Sequence, residues 1–222
     1  MIKRVISVIL SLAVLAVFIG LGTWQVQRLA WKQGILAEIE ARIADAPVAV
    51  PRAPDQTRDA YLPVEAVGEV LPGELHVLVS SRDFGAGFRI IAPLLLSDGR
   101  IVLLDRGFVL AANKDQERSL GLVEVTGNLH WPDERNGSTP DDDEAGNWWY
   151  ARDIAKMADA LGADPVLIIA RSQTAQGVLP LPITTEAIPN RHLEYAVTWF
   201  LMATVWVMMT GFAVWRIRRR NG

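Results

Sequence analysis

The chain has 222 residues, half of them apolar, with 22 Lys and Arg against 25 Asp and Glu and a formal net charge of −3. That length holds one domain of ordinary size with room for further segments. Cysteine is absent, which excludes disulfides, thiolate metal sites and cysteine nucleophiles.

The apolar residues gather at the two ends. Val5 to Gly22 contains no charge, and neither does Tyr195 to Trp215. Runs of about 18 or more apolar residues reach across a bilayer core when helical, and helix satisfies every backbone polar group internally. Lys3 and Arg4 precede the first run, and Arg216, Arg218, Arg219 and Arg220 follow the second. All acids lie between Glu38 and Glu194. The positive-inside rule then places both termini in the cytoplasm. The expected layout is a cytoplasmic start (1–4), a first span (5–23), an extracytoplasmic domain (24–190), a second span (191–215) and a basic cytoplasmic tail (216–222). A cleaved signal peptide is the alternative for the first run, with Gly20-Leu21-Gly22 as a weak small-x-small site. The length of the run and its Trp-rich exit favour a span. The short start lacks the Arg- and Ser-rich character of an organelle presequence, so the expected address is a bacterial inner membrane, with the domain in the periplasm.

Between the spans the pattern changes twice. Leu29, Ile35, Leu36, Ile39 and Ile43 continue a helical spacing until Pro47, and Pro47, Pro51 and Pro54 mark a linker. Six short Val-, Ile- and Leu-rich segments then read as strands: 61–70, 75–81, 88–96, 101–109, 123–129 and 166–170. Asp98-Gly99 signals a hairpin. Residues 132–147 read as a polar loop and Asp153 to Leu161 as one short helix. The expected fold is thus a membrane protein with two transmembrane α-helices flanking a mainly β domain, a small barrel or sandwich of α+β type.

Catalytic patterns are scarce. Asp141, Asp142, Asp143 and Glu144 form an acidic run without the alternating ligands and Gly of a calcium loop. Arg82, Asp83, Asp105 and Arg106 fall near strand ends, where ion pairs are common. No nucleophile elbow, phosphate-binding loop or His-Glu-x-x-His helix is present. An enzyme is not expected, nor is a nucleic-acid partner. Of the three histidines, His76 and His130 read as structural or surface groups. His192 opens the second span behind Asn190, a candidate cap, and shares a helical face with Tyr195, Ala196, Trp199 and Ala203. A neutral imidazole there suits iron ligation between aromatic walls, or simply an interfacial cap.

Four blocks in order carry a resemblance. They are Gly22-Thr23-Trp24-Gln25 with Arg28 and Trp31-Lys32; Tyr61, Val64 and Gly68; Asp98-Gly99 followed by Leu104 to Val109; and Trp149-Tyr150 with Arg152-Asp153, then Asn190 and His192 to Phe200. With the two-span layout, the chain resembles the surfeit-locus family of cytochrome c oxidase assembly proteins over nearly its whole length. The resemblance implies a role in building the haem-containing core subunit of a terminal oxidase, with that subunit, the haem a synthesis machinery and membrane lipid as partners. It implies transient haem a binding, with His192 as iron ligand. Tyr195, Trp199 and Trp24 are the aromatic candidates beside it, and Arg28 or Arg191 the propionate partners. Glu194, Phe108 and Arg191 stand where glutamine, tryptophan and asparagine are common in the family. Two other functions compete. One is a cofactor-free scaffold that stabilises an oxidase assembly intermediate. The other is a membrane-tethered enzyme dependent on Asp83, Asp105 or Asp141–Asp143.

Overall fold

The computed structural model describes residues 2–81, 84–186 and 188–220. The chain divides into two compact units, one formed by Met1–Glu38 with Thr185–Gly222 and the other by Ile39–Thr184.

The first unit is a pair of helices, α1 (Ile2–Ala44) and the last helix of the chain (His192–Arg220). The expected span and its helical continuation are one uninterrupted 43-residue helix that ends three residues before Pro47. Both helices are long and apolar enough to cross a membrane. Leu10, Leu12, Leu201, Met208 and Phe212 stay 59–61% exposed, which is not how a soluble protein treats a core helix.

The second unit contains β1 (Val48–Ala49), α2 (Gln56–Asp59), β2 (Pro63–Val70), β3 (Leu75–Ser81), β4 (Gly85–Leu96), β5 (Ile101–Leu110), β6 (Gly121–His130), α3 (Ile154–Leu161) and β7 (Asp164–Ala170). The last helix, His192–Arg220, is therefore α4. Six strands lie where the apolar runs place them. The two-residue β1 inside the proline linker and the one-turn α2 carry too few residues to show a period. The strands form one sheet in the order β1-β2-β6-β7-β5-β4-β3. Strand β2 also pairs with β4 through Gly68, Glu69 and Val70, so hydrogen bonding runs through β2, β6, β7, β5 and β4 and returns to β2.

Strand composition follows position in this circuit. Strand β2 alternates buried Val64, Gly68 and Val70 with exposed Glu65, Val67 and Glu69, the pattern of a strand wetted on one face. Strands β5 and β7 read as unbroken apolar runs because both their faces are covered. Val102, Leu104, Val166 and Ile168 pack with Val64, Leu94 and Leu129 on one side. Leu103, Leu167 and Ile169 pack on the other with Trp149 and the Ile154, Met157 and Ala158 face of α3. Burying each large side chain of this second cluster contributes roughly 1.5–3 kcal/mol. Asp153 starts α3 by accepting a hydrogen bond from Lys156 N at 3.2 Å. Asp98-Gly99 turns β4 into β5 as expected, with Gly99 at φ +86° and Leu96 N bonded to Arg100 O at 2.8 Å.

Candidate functional site

In α4 the half-buried or buried positions are His192, Ala196, Trp199, Ala203, Trp206 and Thr210, with Met202 half-buried beside them. They recur at alternating steps of four and three, the spacing of a helix that keeps one narrow face on a partner. In α1 the matching positions include Ser11, Phe18, Gly22, Gln25 and Lys32. The helices run antiparallel along this seam. Trp206 Nε1 donates to Ser11 O at 3.1 Å, the Phe18 ring lies 6.0 Å from Trp199 and 6.3 Å from Trp206, and Lys32 Nζ donates to Pro189 O at 2.5 Å. A Cβ on Gly22 would meet the Phe200 ring at 2.8 Å, so glycine lets the backbones approach there.

At the upper part of the seam, His192 Nδ1 lies 2.8 Å from Gln25 Oε1. An amide oxygen only accepts, so Nδ1 is the donor in this contact, and in the neutral ring Nε2 is the nitrogen left with its lone pair. Gln25 is 9% exposed and His192 half-buried, and the neighbouring small Ala196 is 2% exposed. The result is an imidazole oriented by a buried amide, with one nitrogen available as a metal ligand. This is the arrangement in which an outer hydrogen bond fixes tautomer and ring direction.

The other sequence candidates are spread around this point. Trp199 shares the seam with His192. Trp24 and Tyr195 are 52% and 53% exposed, and Arg191 is exposed just before α4. Arg28 follows Gln25 by three residues, on the same side of α1, and its guanidinium sits 4.0 Å from the centroid of the Trp31 ring. Glu194, two residues beyond His192, falls on the far side of the helix. Asn190 does not cap α4 as expected: its Oδ1 is buried without a partner, and the first turn is closed by Tyr195 N on Arg191 O at 3.2 Å. Gln25 had no role assigned from sequence. Its signal is the sevenfold recurrence Ser11, Phe18, Gln25, Lys32, which sets a neutral polar group on the packing face of a long apolar helix.

The domain's charged residues are arranged differently. Arg82 and Asp83 lie outside the described residues. Asp105 is fully buried; Oδ2 pairs with Arg89 at 2.6 Å and Arg152 at 3.4 Å, and Oδ1 accepts from Gly107 N at 3.1 Å. Arg152 also binds Glu134. Burial opposes the charge on both Arg152 and Glu134, but their mutual hydrogen bonds and opposite charges, with Asp105 beside Arg152 and Arg89 near Glu134, together outweigh it, raising one pKa and lowering the other. Arg106 is set apart from Asp105 by a bulge, because Gly107 pairs with Ile90 and Asp105 with Ile91. Its guanidinium donates to Ser119 O and Thr174 O at 2.9 Å. The acidic run is likewise committed: Asp142 binds Arg135 at 2.5 Å and Lys156 at 3.0 Å, while Asp143 accepts from Gly146 N at 3.0 Å. These carboxylates are bound by local partners and do not converge on one point.

Beside this network, His130 stacks on Tyr61 at 5.4 Å. Burial pushes its pKa down to about 4, helped by the charges of Arg152 and Arg89 and opposed by Glu134. The unfolded chain, with an ordinary pKa near 6.5, therefore binds the proton first. The stability this contributes is complete above pH ~6.5 and is lost as pH falls towards 4, at most about 3 kcal/mol. Glu134 and Glu74 are held below the ordinary glutamate range, so their contribution fades only at lower pH. Unfolding midpoints of the wild type are expected to drop between pH 6.5 and 4, and those of His130→Gln to stay flatter. Parallel slopes would remove His130 as the cause.

Comparison with known proteins covers both units. A family model described as the SURF1 family matches residues 12–204. Surfeit locus protein 1 of Mus musculus is 32% identical over 204 residues, 82% of this chain and 67% of that protein. A SURF1-like protein of Monosiga brevicollis is 32% identical over 232 residues, 95% of this chain and 87% of the relative. A SURF1-like protein of Drosophila melanogaster is 34% identical over 210 residues, 83% of this chain and 69% of the relative. The matched region takes in Gln25, the Asp105 network and His192, and the chain belongs to the SURF1 family.

Proposed function

We propose that this protein is an integral membrane assembly factor for haem-copper cytochrome c oxidase, which binds haem a through His192 and assists its insertion into the core subunit. Family membership supports the assembly role. The observation that carries haem binding is the Gln25–His192 hydrogen bond of 2.8 Å, because it occupies Nδ1 and leaves Nε2 as the ligating nitrogen of an imidazole that is already oriented. The seam also supports membrane insertion of α1, since Ser11 and Phe18 pack on Trp206 of α4. Both termini are cytoplasmic, on the evidence of the basic clusters. The domain is periplasmic, and the address is a bacterial inner membrane.

The residues present fit the group. His192 offers one ring nitrogen not engaged by Gln25, and a single histidine nitrogen is what a haem iron takes. Trp199 and Phe18 form the apolar wall below it. Arg191 and Arg28 are the nearby cations in sequence and on the helix faces, suited to carboxylate partners. Haem a held here would supply an iron centre able to take a nitrogen ligand, which His192 would provide. Held by one protein nitrogen it is retained less firmly than in a site with two, which is the condition for handing it on.

The test is purification of the full chain from cells that make haem a, with the pigment identified by pyridine haemochrome. Near one-to-one haem a is expected, and none in His192→Ala. In Gln25→Leu the ring loses its orienting acceptor, and affinity should fall about 10- to 100-fold. Undiminished haem in His192→Ala sinks the ligand assignment. A colourless wild type sinks haem binding and leaves the cofactor-free scaffold.

A further inference from the structure

Beside the seam runs a groove of about 390 Å³, lined by Phe18 of α1 and by Thr198, Met202, Val205, Trp206 and Met209 of α4. Its two polar-looking members are already committed within the helix pair. Thr198 Oγ1 donates to Glu194 O at 2.8 Å, and Trp206 Nε1 donates to Ser11. The groove therefore offers carbon and the soft thioether sulfurs of Met202 and Met209, with no free hydrogen-bond donor, to whatever fills it. From Thr198 to Met209 it extends about 16 Å along α4, at 1.5 Å per residue.

Its place on the helix relates it to His192. At about 100° per residue, Arg191, Tyr195, Met202 and Met209 fall on one strip, rotated by roughly 65° on average from the strip of His192, Trp199 and Trp206. Arg191 belongs to this helical turn, since its carbonyl accepts from Tyr195 N. Read downwards, the strip offers a cation, an aromatic ring beside the histidine, and then a long apolar trough. That order matches an amphiphile with carboxylates at one end, a flat metal-binding ring, and a linear chain of methyl-branched isoprene units at the other.

We propose that the groove holds the isoprenoid tail of a haem ligated by His192, so that the helix pair selects tailed haems over protohaem. This rests on the haem reading above and adds the basis of its specificity. An acyl chain of a lipid occupies the trough when no haem is bound. Because lipid is as apolar as the groove, the tail gains packing and preorganisation there and no hydrophobic transfer energy. The preference is accordingly about tenfold, corresponding to roughly 1.4 kcal/mol.

The full chain in nanodiscs would be titrated by absorbance with haem a, haem o and protohaem. Haem o carries the tail without the formyl group of haem a, so it separates the two features. Haem a and haem o are expected to bind about tenfold tighter than protohaem. Val205→Trp, which fills the trough without touching the seam, should bring haem o down to the protohaem affinity and leave protohaem binding unchanged. Equal affinity of the wild type for haem o and protohaem overturns the proposal while leaving His192 as ligand; the trough is then a lipid site only. Equal weakening of both haems by Val205→Trp also overturns it. Failure of the wild type to bind any of the three removes the haem reading and this proposal with it.

Discussion

Replacing Asp105 with alanine is expected to lower the stability of the Ile39–Thr184 domain by about 3–5 kcal/mol, the usual cost of removing one partner from a buried ionic cluster. The carboxylate is completely buried, between Arg89 and Arg152, whose side chains are 13% and 11% exposed. Two positive charges then remain in a poorly solvated space with Glu134 as their counter-charge among the described residues, and Gly107 N loses its acceptor. The cavity left by the side chain adds to the loss. A domain stability of 5–15 kcal/mol leaves little margin for such a change. At about 2–4 °C per kcal/mol for a domain of this size, the midpoint should fall by roughly 6–20 °C. The measurement is thermal unfolding of the full chain in detergent, followed by the fluorescence of Trp131, Trp148 and Trp149. Asp105→Asn keeps an acceptor for Gly107 and should fall between wild type and alanine. An Asp105→Ala midpoint within a degree of wild type would mean that the cluster is no net support. A stable Asp105→Ala protein that had lost its physiological activity would instead revive the enzyme reading of this residue.

The same residue shows where sequence reading stops. Strands β5 and β7 announce themselves by Val, Ile and Leu, and the helix pair by its uncharged length. These are local signals. The ion partners of Asp105 lie 16 and 47 residues away, and which arginine reaches it depends on strand order and on a bulge. Asp105 and Arg106 are neighbours in sequence, yet the bulge turns Arg106 towards the carbonyls of Ser119 and Thr174. Gln25 is a similar case, with its partner 167 residues away. His192 was legible because a histidine at the start of an apolar run is unusual in itself. A glutamine three residues before the first charge that follows an apolar run is not. Its role emerges only when the antiparallel register sets it opposite an imidazole. The parallel pairing of β5 with β7 was hidden for the same reason: alternation reveals which faces of a strand are wet, and says nothing of its neighbours.

Gly107 yields the second large effect, through backbone rather than charge. Its φ of +120° is a conformation that residues with a Cβ rarely adopt, costing of order 1–3 kcal/mol. Space is also lacking. A Cβ would collide with the carbonyl of Leu179 and come within 2.9 Å of Pro180 Cα, and these are main-chain atoms that cannot rotate aside. Leu179 is pinned there by paired hydrogen bonds with Phe108, at 2.7 and 2.9 Å. Relief therefore requires the 172–184 segment to lift from β5. That segment supplies the Thr174 carbonyl to Arg106 and packs Ala175 and Val178 against Phe88, Ile90 and Val109, so lifting it uncovers an arginine and part of the core. Gly107→Ala is expected to cost at least about 3 kcal/mol, strain and lost contacts together. Gly99→Ala serves as control, since its φ of +86° carries similar strain but its Cβ would meet nothing within 4 Å. The two variants separate by limited proteolysis and amide exchange. Cleavage within 172–184 and faster exchange at Leu179 should appear in Gly107→Ala alone. Combining Gly107→Ala with Asp105→Ala should cost less than the sum, because both break the Asp105–Gly107 contact. Strict additivity, or equal behaviour of the two glycine variants, would show that the bulge and the 172–184 segment are not energetically joined.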